Sequence, residues 1–207
     1  MRIGLLGGSF DPVHYGHLLL AESAREQLGL DEVWFLPAAG APHKQQRQQA
    51  DITLRLQMLE LATAGNRAFR VSDIEARRGG TSYTVDTLES LHAAEPGREL
   101  VFLLGADMLN DLPHWRWAER VCELATIAAV RRTGVPEPDF DRLLTVATPD
   151  RVAHFVQHQF SMPGIELSSS GIRACVAAGK SICYQTPPAV EQLIAALGLY
   201  SARSSGS

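Results

Sequence analysis

Short apolar runs alternate with longer amphipathic stretches along the chain. The runs of strand length fall at residues 3–6, 32–36, 69–73, 100–104, 126–130 and 165–167. The stretches of helix length fall at residues 16–28, 51–64, 84–94, 117–123, 170–178 and 188–197. This alternation is typical of parallel strands joined by helical crossovers. The pattern therefore predicts an α/β protein with a Rossmann-like, doubly wound parallel sheet and a small C-terminal helical part.

Two of the predicted helices carry clear end signals. Asp51 is placed as the N-cap of the second helix. The apolar face predicted for this helix consists of Ile52, Leu56, Met58, Leu59 and Leu61. Pro188 just inside the last helix and Gly198 just past it follow the usual asymmetry of helix ends. Because no repeat or long linker divides the chain, we expect one domain over residues 1–200 and a disordered tail over residues 201–207.

The composition excludes several classes of protein. The 207 residues are 45% hydrophobic, and the net charge of -4 argues against a protein that coats nucleic acid. No apolar run reaches membrane-spanning length, and the first residues do not resemble a signal peptide. The cysteines at positions 122, 175 and 183 lack C-x-x-C spacing, so we expect neither a disulfide framework nor a zinc site. We therefore expect a cytoplasmic protein without a nucleic-acid or membrane partner, and predict no particular oligomeric state.

The segment from residue 7 to residue 17 carries the most informative chemistry. It follows the first apolar run and places three glycines and two histidines where a strand turns into a helix. Glycines let the backbone approach an anion, and the N–H groups at a helix start bind phosphate. The spacing is neither G-x-G-x-x-G nor that of a P-loop. Each piece alone could be ordinary turn chemistry, but the joint pattern predicts a site for nucleotide phosphates.

The H-x-G-H motif at residues 14–17, with Gly8 and Phe10-Asp11-Pro12 ahead of it, resembles the signature of the nucleotidyltransferase superfamily. A resemblance to bacterial nicotinate-nucleotide adenylyltransferases extends over nearly the whole chain, through residues 42–44, 82–88, 105–107, 115 and 167–173. It implies transfer of the adenylyl group of ATP to nicotinate mononucleotide, which gives deamido-NAD and pyrophosphate, with Mg²⁺ as cofactor. Ser9 and Ser170 stand where the family often has threonine, and both keep a hydroxyl.

The resemblance and the residue types together assign roles within this site. His14, His17 and Arg173 are expected to be catalytic through hydrogen bonds and charge offered to the phosphates. ATP is expected to contact Gly7, Gly8, Ser9, Phe10, His14, His17, Gly105, Asp107, Ser168, Ser169, Ser170 and Arg173. Nicotinate mononucleotide is expected to contact Lys44, Ser82, Tyr83, Thr84, Thr87 and Trp115, and no protein ligand to a metal is expected. Because the net charge is negative, the positive field must be local, from Lys44, Arg131, Arg132, Arg173 and the magnesium ion.

Several of these residues also have a simpler structural interpretation. Residues 168–170 could be only an N-cap, Asp107 could only cap the next helix, and residues 42–49 could be a surface loop. His154 and His158 have the i, i+4 spacing of a metal pair, but a solvated helix face is the preferred interpretation. Residues 75–78 are interpreted as a charged turn, and Trp34 as part of the strand core.

Other functions stay open at the level of the sequence. The same mechanism could act on nicotinamide mononucleotide or pantetheine phosphate, although the motifs at residues 42–44, 82–88 and 105–107 with 115 disfavour the latter. A nucleotide-binding sensor could keep the phosphate loop without turnover. Some tRNA-charging enzymes have a similar histidine pair, but this chain is short and has no basic surface suited to RNA.

Overall fold

The structure is a computed structural model that describes residues 1–40, 49–132 and 137–202, with only the backbone of Arg132. The strands in these ranges are β1 (Arg2–Gly8), β2 (Glu32–Pro37), β3 (Phe69–Val71), β4 (Glu99–Gly105), β5 (Thr126–Arg132) and β6 (Phe160–Met162). The helices are α1 (Tyr15–Leu28), α2 (Ile52–Thr63), α3 (Ile74–Arg78), α4 (Thr84–Ala94), α5 (Ala106–Asp111), α6 (Ala118–Leu124), α7 (Pro149–Val156), α8 (Ser169–Ala177) and α9 (Pro188–Ala196). Short 3-10 turns lie at Leu112–His114 and Phe140–Thr145.

All six strands belong to one parallel sheet in the order β3-β2-β1-β4-β5-β6. From β1 the chain adds β2 and β3 on one side, then returns to add β4, β5 and β6 on the other. The doubly wound, Rossmann-like sheet predicted from the sequence is thus confirmed. In such sheets ligands bind beyond the carboxyl ends of the strands, where the strand order reverses. Here that place lies between the ends of β1 and β4.

Helices cover both faces of the sheet, and β4 shows how its side chains divide between them. Val101 and Leu103 pack on the face that carries α1, α2, α8 and α9. Leu100, Phe102 and Leu104 pack on the opposite face, with α4, α5, α6 and α7. Successive residues of a strand point to opposite faces, so a strand covered on both sides must be apolar throughout. This explains the continuous apolar runs in the sequence.

The last strand lies earlier in the chain than predicted. The prediction placed it at residues 165–167, whereas β6 is Phe160–Met162 and pairs with the end of β5. Phe160 and Met162 are buried and Ser161 between them is exposed, which is the alternation of an edge strand. Pro163 and Gly164 then end the strand, and residues 163–167 form a loop that leads to α8. The prediction was wrong because three residues give a weak alternation signal.

Helix α2 begins as predicted and buries Met58 and Leu59 of the predicted face, but not Leu61. Asp51 is its N-cap, and Asp51 Oδ1 accepts the Thr53 N–H at 2.8 Å. Leu61 is exposed, contrary to the prediction, whereas Arg55 is buried in line with Leu59. Residues four apart lie on one face of a helix. The position of Arg55 four residues before the apolar Leu59 could therefore have placed it on the buried face.

Three short helices, α3, α5 and α7, lie outside the helix-length stretches predicted from the sequence pattern. Residues 75–78 belong to α3 and are not a charged turn, because Glu75 is buried there. Trp34 is only partly buried, and the Arg98 guanidinium lies 5.1 Å from its ring. The last helix does begin at Pro188, and Gly198 follows it with φ of 59°, as the end signals predicted. Within the described residues no helix is long and apolar enough to cross a membrane.

Candidate active site

Strand β1 ends in two glycines on which the next turn folds back. Gly7 is exposed at the carboxyl end of the strand. A Cβ atom at Gly8 would lie 3.1 Å from the Phe10 ring. Phe10 has a φ of 48° and its buried ring packs edge-on to His17, with ring centroids 4.9 Å apart. The turn is therefore anchored in the core through Phe10, while the backbone at Gly7 stays accessible.

Helix α1 begins with the two histidines of the H-x-G-H motif. His14 is the N-cap and His17 lies in the first turn, and their rings stack with centroids 3.7 Å apart. The backbone N–H of His14 donates to His17 Nδ1 at 3.2 Å. A Cβ atom at Gly16 would lie 3.0 Å from the His14 ring, tighter than most real contacts. Glycine between the histidines thus lets the rings lie close against the start of the helix.

The hydrogen bond to His17 Nδ1 fixes the tautomer of this imidazole. Because Nδ1 accepts an N–H, the ring proton lies on Nε2. His17 can therefore donate a hydrogen bond from Nε2 without carrying a charge. A phosphate oxygen at the start of α1 would meet this donor together with the N–H groups of the first helical turn.

Helix α8 begins beside the same loop. Ser168 is its N-cap, and its Oγ accepts the Gly171 N–H at 3.1 Å. Ser169 Oγ donates to the carbonyl of Pro12 at 2.8 Å, which docks α8 on the loop that leads into α1. Ser168 and Ser170 are exposed, with their hydroxyl oxygens 3.2 Å apart. The capping role is confirmed for Ser168, and two helix starts flank one loop.

Arg173 is the cation that α8 brings to this loop. Its Nη1 donates to the Asp11 carbonyl at 2.5 Å and lies 3.7 Å from Asp11 Oδ2. The Arg173 side chain is 24% exposed. Arg173 is thus held by the loop on one side and retains a solvent-accessible part that an anion can reach.

Arg55 supports the loop from the core and was assigned no role from the sequence. Its Nη1 donates to the carbonyls of Ser9 and Ala38 at 2.9 and 2.8 Å, and its Nε donates to the carbonyl of Ala50 at 3.0 Å. Burial lowers the pKa of the Arg55 guanidinium, and the negative charge of Asp11 opposes that shift. Three backbone segments are therefore tied to one side chain, and Ser9 is placed through its carbonyl.

Gly105 and Asp107 lie at the end of β4, across the switch point from the histidines. Strand β4 pairs with β1, and a Cβ atom at Gly7 would lie 3.6 Å from the Phe102 ring. Gly105 is the N-cap of α5, and Asp107 is exposed in the first turn of that helix. The two residues, which were predicted to contact ATP, thus share the rim with the phosphate loop.

The segment predicted for the acceptor docks on the end of β2. The Ala39 N–H donates to Ser82 Oγ at 3.0 Å, and the Ser82 N–H donates to the Gly40 carbonyl at 2.9 Å. A Cβ atom at Gly40 would lie 2.9 Å from the carbonyl oxygen of Gly80, so only glycine permits this approach. Because β2 pairs with β1, the turn before α4 reaches the same rim as the phosphate loop.

A buried carboxylate supports this turn from inside. Glu75 is 7% exposed and accepts hydrogen bonds from Thr87 Oγ1, at 2.9 Å, and from Ser82. Arg78 Nη2 donates to Thr87 Oγ1 at 2.9 Å. Burial raises the pKa of Glu75, whereas the two hydroxyls and the Arg78 charge lower it. The hydroxyls of Ser82 and Thr87 are therefore engaged within the protein, so any influence of Thr87 on an acceptor acts through the position of the turn.

Trp115 lies beside this turn and packs toward β4. Its ring is edge-on to Phe102, with centroids 6.1 Å apart, and its Nε1 donates to Asp111 Oδ2 at 3.1 Å. Trp117 is 59% exposed and does not share this packing. The two tryptophans thus point differently, as their spacing of two predicted.

Arg116, the neighbour of Trp115 in the chain, contacts the turn before α4. No role was predicted for it from the sequence. Its guanidinium lies 4.6 Å from the centre of the Tyr83 ring, and Nη1 lies 3.9 Å from Asp86 Oδ2. Tyr83 is the N-cap of α4 and Thr84 its first residue, and both are partly buried. The contact brings a positive charge next to the start of α4.

Some predicted residues lie outside this arrangement. Lys44 falls outside the described residues, as does the side chain of Arg132. Arg131 is paired with Glu137, with Nε 2.7 Å from Oε2. His154 and His158 do not form a solvated helix face: both are partly buried, and His158 lies beyond the end of α7.

Comparison with known proteins agrees with this geometry. A model of the cytidylyltransferase-like family matches residues 5–175. A protein of Geotalea daltonii named "Probable nicotinate-nucleotide adenylyltransferase" is 39% identical over 97% of this chain and 99% of its own length. Proteins of the same name from Thermomicrobium roseum and Geobacillus kaustophilus are 44% and 42% identical, over 96% and 98% of this chain and 91% and 88% of their own lengths.

Solved structures share the fold at lower sequence identity. The nicotinic acid mononucleotide adenylyltransferase of Plasmodium falciparum, complexed with NaAD, superposes with a TM-score of 0.75 at 19% identity, over 96% of this chain and 97% of that one. A Vibrio parahaemolyticus structure described as "a Putative Nicotinate-nucleotide Adenylyltransferase" superposes with a TM-score of 0.65 at 22% identity, over 96% and 94% of the two chains. Together with the H-x-G-H turn at the switch point, these relatives place the chain in the cytidylyltransferase-like family, among the nicotinate-nucleotide adenylyltransferases.

Proposed function

We propose that this enzyme transfers the adenylyl group of ATP to nicotinate mononucleotide and forms deamido-NAD and pyrophosphate, a step of NAD biosynthesis. The observation that carries the proposal is the convergence of two helix starts, α1 and α8, on the loop after β1 at the switch point of the sheet. The near full-length similarity to nicotinate-nucleotide adenylyltransferases supports the choice of acceptor.

The reaction is an in-line displacement that needs no nucleophilic side chain. An oxygen of the acceptor's phosphate attacks the α-phosphorus of ATP and forms a new P–O bond. The bond from that phosphorus to the oxygen bridging to the β-phosphate breaks, and the electron pair leaves with pyrophosphate. Catalysis then consists of holding the reactants in line and neutralising charge on the leaving oxygens.

His17 and Arg173 are the residues suited to the leaving group. His17 donates from Nε2, since its Nδ1 is occupied by the backbone, and a donor aimed at developing charge stabilises the transition state. Arg173 offers a full charge from the side of α8. An exposed helix start contributes only about 0.3–1 kcal/mol toward an anion, so the N–H groups of α1 and α8 cannot hold a triphosphate alone.

A magnesium ion fits this site as a companion of the nucleotide. Among the described residues there is no group of three or more His, Cys, Asp or Glu that could hold a metal. Mg²⁺ characteristically binds through substrate phosphates with few protein ligands, so the triphosphate of ATP would hold it. When bound on the triphosphate, the ion would supply positive charge that this protein, at a net charge of -4, provides only locally.

The start of α4 and the Trp115 side chain are the parts of the rim suited to nicotinate mononucleotide. The first N–H groups of α4 can receive the carboxylate, and Arg116, held over Tyr83, offsets the negative charge of Asp86 in the same turn. The Trp115 ring offers a flat apolar surface for the nicotinate. On this basis Trp115→Ala weakens the acid and the amide acceptor alike, because both present a similar ring.

An acceptor panel tests the proposal. The purified protein is incubated with ATP and Mg²⁺ plus nicotinate mononucleotide, nicotinamide mononucleotide, pantetheine phosphate or no acceptor, and pyrophosphate and the adenylylated product are measured. Release of pyrophosphate with nicotinate mononucleotide, in a one-to-one ratio to deamido-NAD, is the expected result. Release with pantetheine phosphate alone would assign another acceptor, and ATP binding without any release would identify a sensor.

A further inference from the structure

Tyr200, beyond the last helix, contacts the loop that carries the phosphate site. It follows Gly198 after α9 and packs against the core, with φ of 60°. Its hydroxyl donates to Asp11 Oδ1 at 2.6 Å. Some 190 residues of chain separate the two partners in sequence. The contact therefore exists only when the fold is complete.

Asp11 is the point at which Tyr200 meets the catalytic arginine. Asp11 is 1% exposed, so its carboxylate is buried. Oδ1 accepts the Ala50 N–H at 3.2 Å as well as the Tyr200 hydroxyl, whereas Oδ2 lies 3.7 Å from Arg173 Nη1. A buried carboxylate needs such partners, and charged donors bind it more strongly than neutral ones. Tyr200 thus hydrogen-bonds one carboxylate oxygen, and Arg173 lies within ion-pair distance of the other.

The hydroxyl of Tyr200 stabilises Asp11 without adding a second charge. Burial and the neighbouring Asp11 carboxylate raise the pKa of the Tyr200 phenol, so it stays protonated and donates. In this arrangement Arg173 Nη1 lies 3.7 Å from Oδ2 and donates its short hydrogen bond to the Asp11 carbonyl. A guanidinium that gripped both carboxylate oxygens would form a bidentate pair, which is stronger and would compete with a phosphate for the same donors.

We infer that Tyr200 is a positioning residue for adenylyl transfer: by occupying Asp11 Oδ1 it keeps Arg173 from closing onto Asp11 and leaves the guanidinium available to the triphosphate of ATP. The inference rests on the proposed function. It predicts that loss of one hydroxyl, at the end of the fold, lowers the use of ATP and leaves the acceptor site unaffected.

The test compares Tyr200→Phe with Tyr184→Phe in the full chain. Tyr184 is a matched control, since it also has a positive φ, of 64°, but is 88% exposed. For Tyr200→Phe we expect kcat/KM for ATP to fall about tenfold, with KM for nicotinate mononucleotide within twofold of the parent. Tyr184→Phe should leave both constants unchanged. Equal losses toward ATP and the acceptor, or no loss toward ATP, would overturn the inference.

A double-mutant cycle separates positioning from general stabilisation. If Tyr200 acts through Arg173, the Tyr200→Phe change costs little once Arg173→Lys has removed the planar guanidinium. Additive losses would show that Tyr200 acts elsewhere, and thermal melting of each variant sets an assay temperature at which all are folded. Should the parent protein form no deamido-NAD, the proposed function itself fails. The ATP dissociation constants of the same variants, measured by calorimetry, then still test whether Tyr200 and Arg173 are coupled.

Discussion

At the scale of single residues, main-chain contacts set the tautomer and the orientation of a candidate catalytic side chain. His17 is neutral and oriented because a main-chain N–H occupies its Nδ1, and this bond depends on a glycine at position 16 that admits the stacked His14 ring. The H-x-G-H spacing is therefore a geometric requirement at a helix start. The motif was recognised in the sequence because its glycines and histidines occur together where a strand turns into a helix.

Replacement of His17 tests this arrangement. His17→Ala removes the Nε2 donor, and we expect turnover to fall by roughly two to three orders of magnitude with the fold retained. His17→Gln should keep more activity than the alanine variant, because its amide nitrogen can reach the place of Nε2. Steady-state kinetics with thermal melts as the folding control measure both effects. Near-normal turnover of a folded His17→Ala protein would remove this side chain from the chemistry.

At the scale of elements, the sequence predicted what depends on local patterns and missed what depends on distant contacts. The sheet, the first helix turn and the cap of α8 follow from apolar runs and capping residues. The anchoring of Asp11 by Tyr200 and the burial of Glu75 under residues 82–87 could not be predicted, because each joins segments whose proximity only the complete fold establishes. The three-residue strand β6 was missed for a different reason, since three residues give only a weak alternation signal.

The docking of the acceptor turn on β2 gives a prediction at this scale. In Gly40→Ala the new Cβ would lie 2.9 Å from the Gly80 carbonyl, a backbone atom, so the turn must shift. We expect KM for nicotinate mononucleotide to rise about tenfold and KM for ATP to change little. Gly65→Ala is the control, because nothing lies within 4 Å of its added Cβ. If Gly40→Ala impaired ATP and acceptor equally, the turn would not be specific to the acceptor.

At the scale of the whole molecule, different groups of residues lie at the two ends of the sheet. The carboxyl ends carry the candidate active site, whereas a group of titratable residues gathers at the amino ends. There His154 Nε2 lies 3.3 Å from Thr126 Oγ1, and Arg2 lies 3.3 Å from His158 Nε2 and is paired with Glu99 at 3.0 Å. Changes in this group should therefore alter stability without altering substrate preference.

The amino-end group predicts how stability depends on pH. Burial, followed by the charges of His158 and Arg151, lowers the pKa of His154 from its usual 6.5, so the folded state favours the neutral imidazole. The contribution of His154 to stability is complete above its pKa in the unfolded state. It is lost as the pH falls toward its lower pKa in the folded state. The melting temperature of the His154→Gln variant should therefore fall less than that of the parent between about pH 7.5 and pH 5.5. Parallel pH profiles of the two melting temperatures would assign the acid sensitivity to other groups.

The most direct test of the account compares the two pyridine mononucleotides as acceptors. Formation of dinucleotide is followed with saturating ATP and Mg²⁺, and kcat/KM is measured for nicotinate mononucleotide and for its amide. A carboxylate at the start of α4, near Arg116, is bound more strongly than a neutral amide. We therefore predict a value at least about tenfold higher for the acid. Equal values, or a preference for the amide, would contradict the assignment of the acceptor even if adenylyl transfer itself were observed.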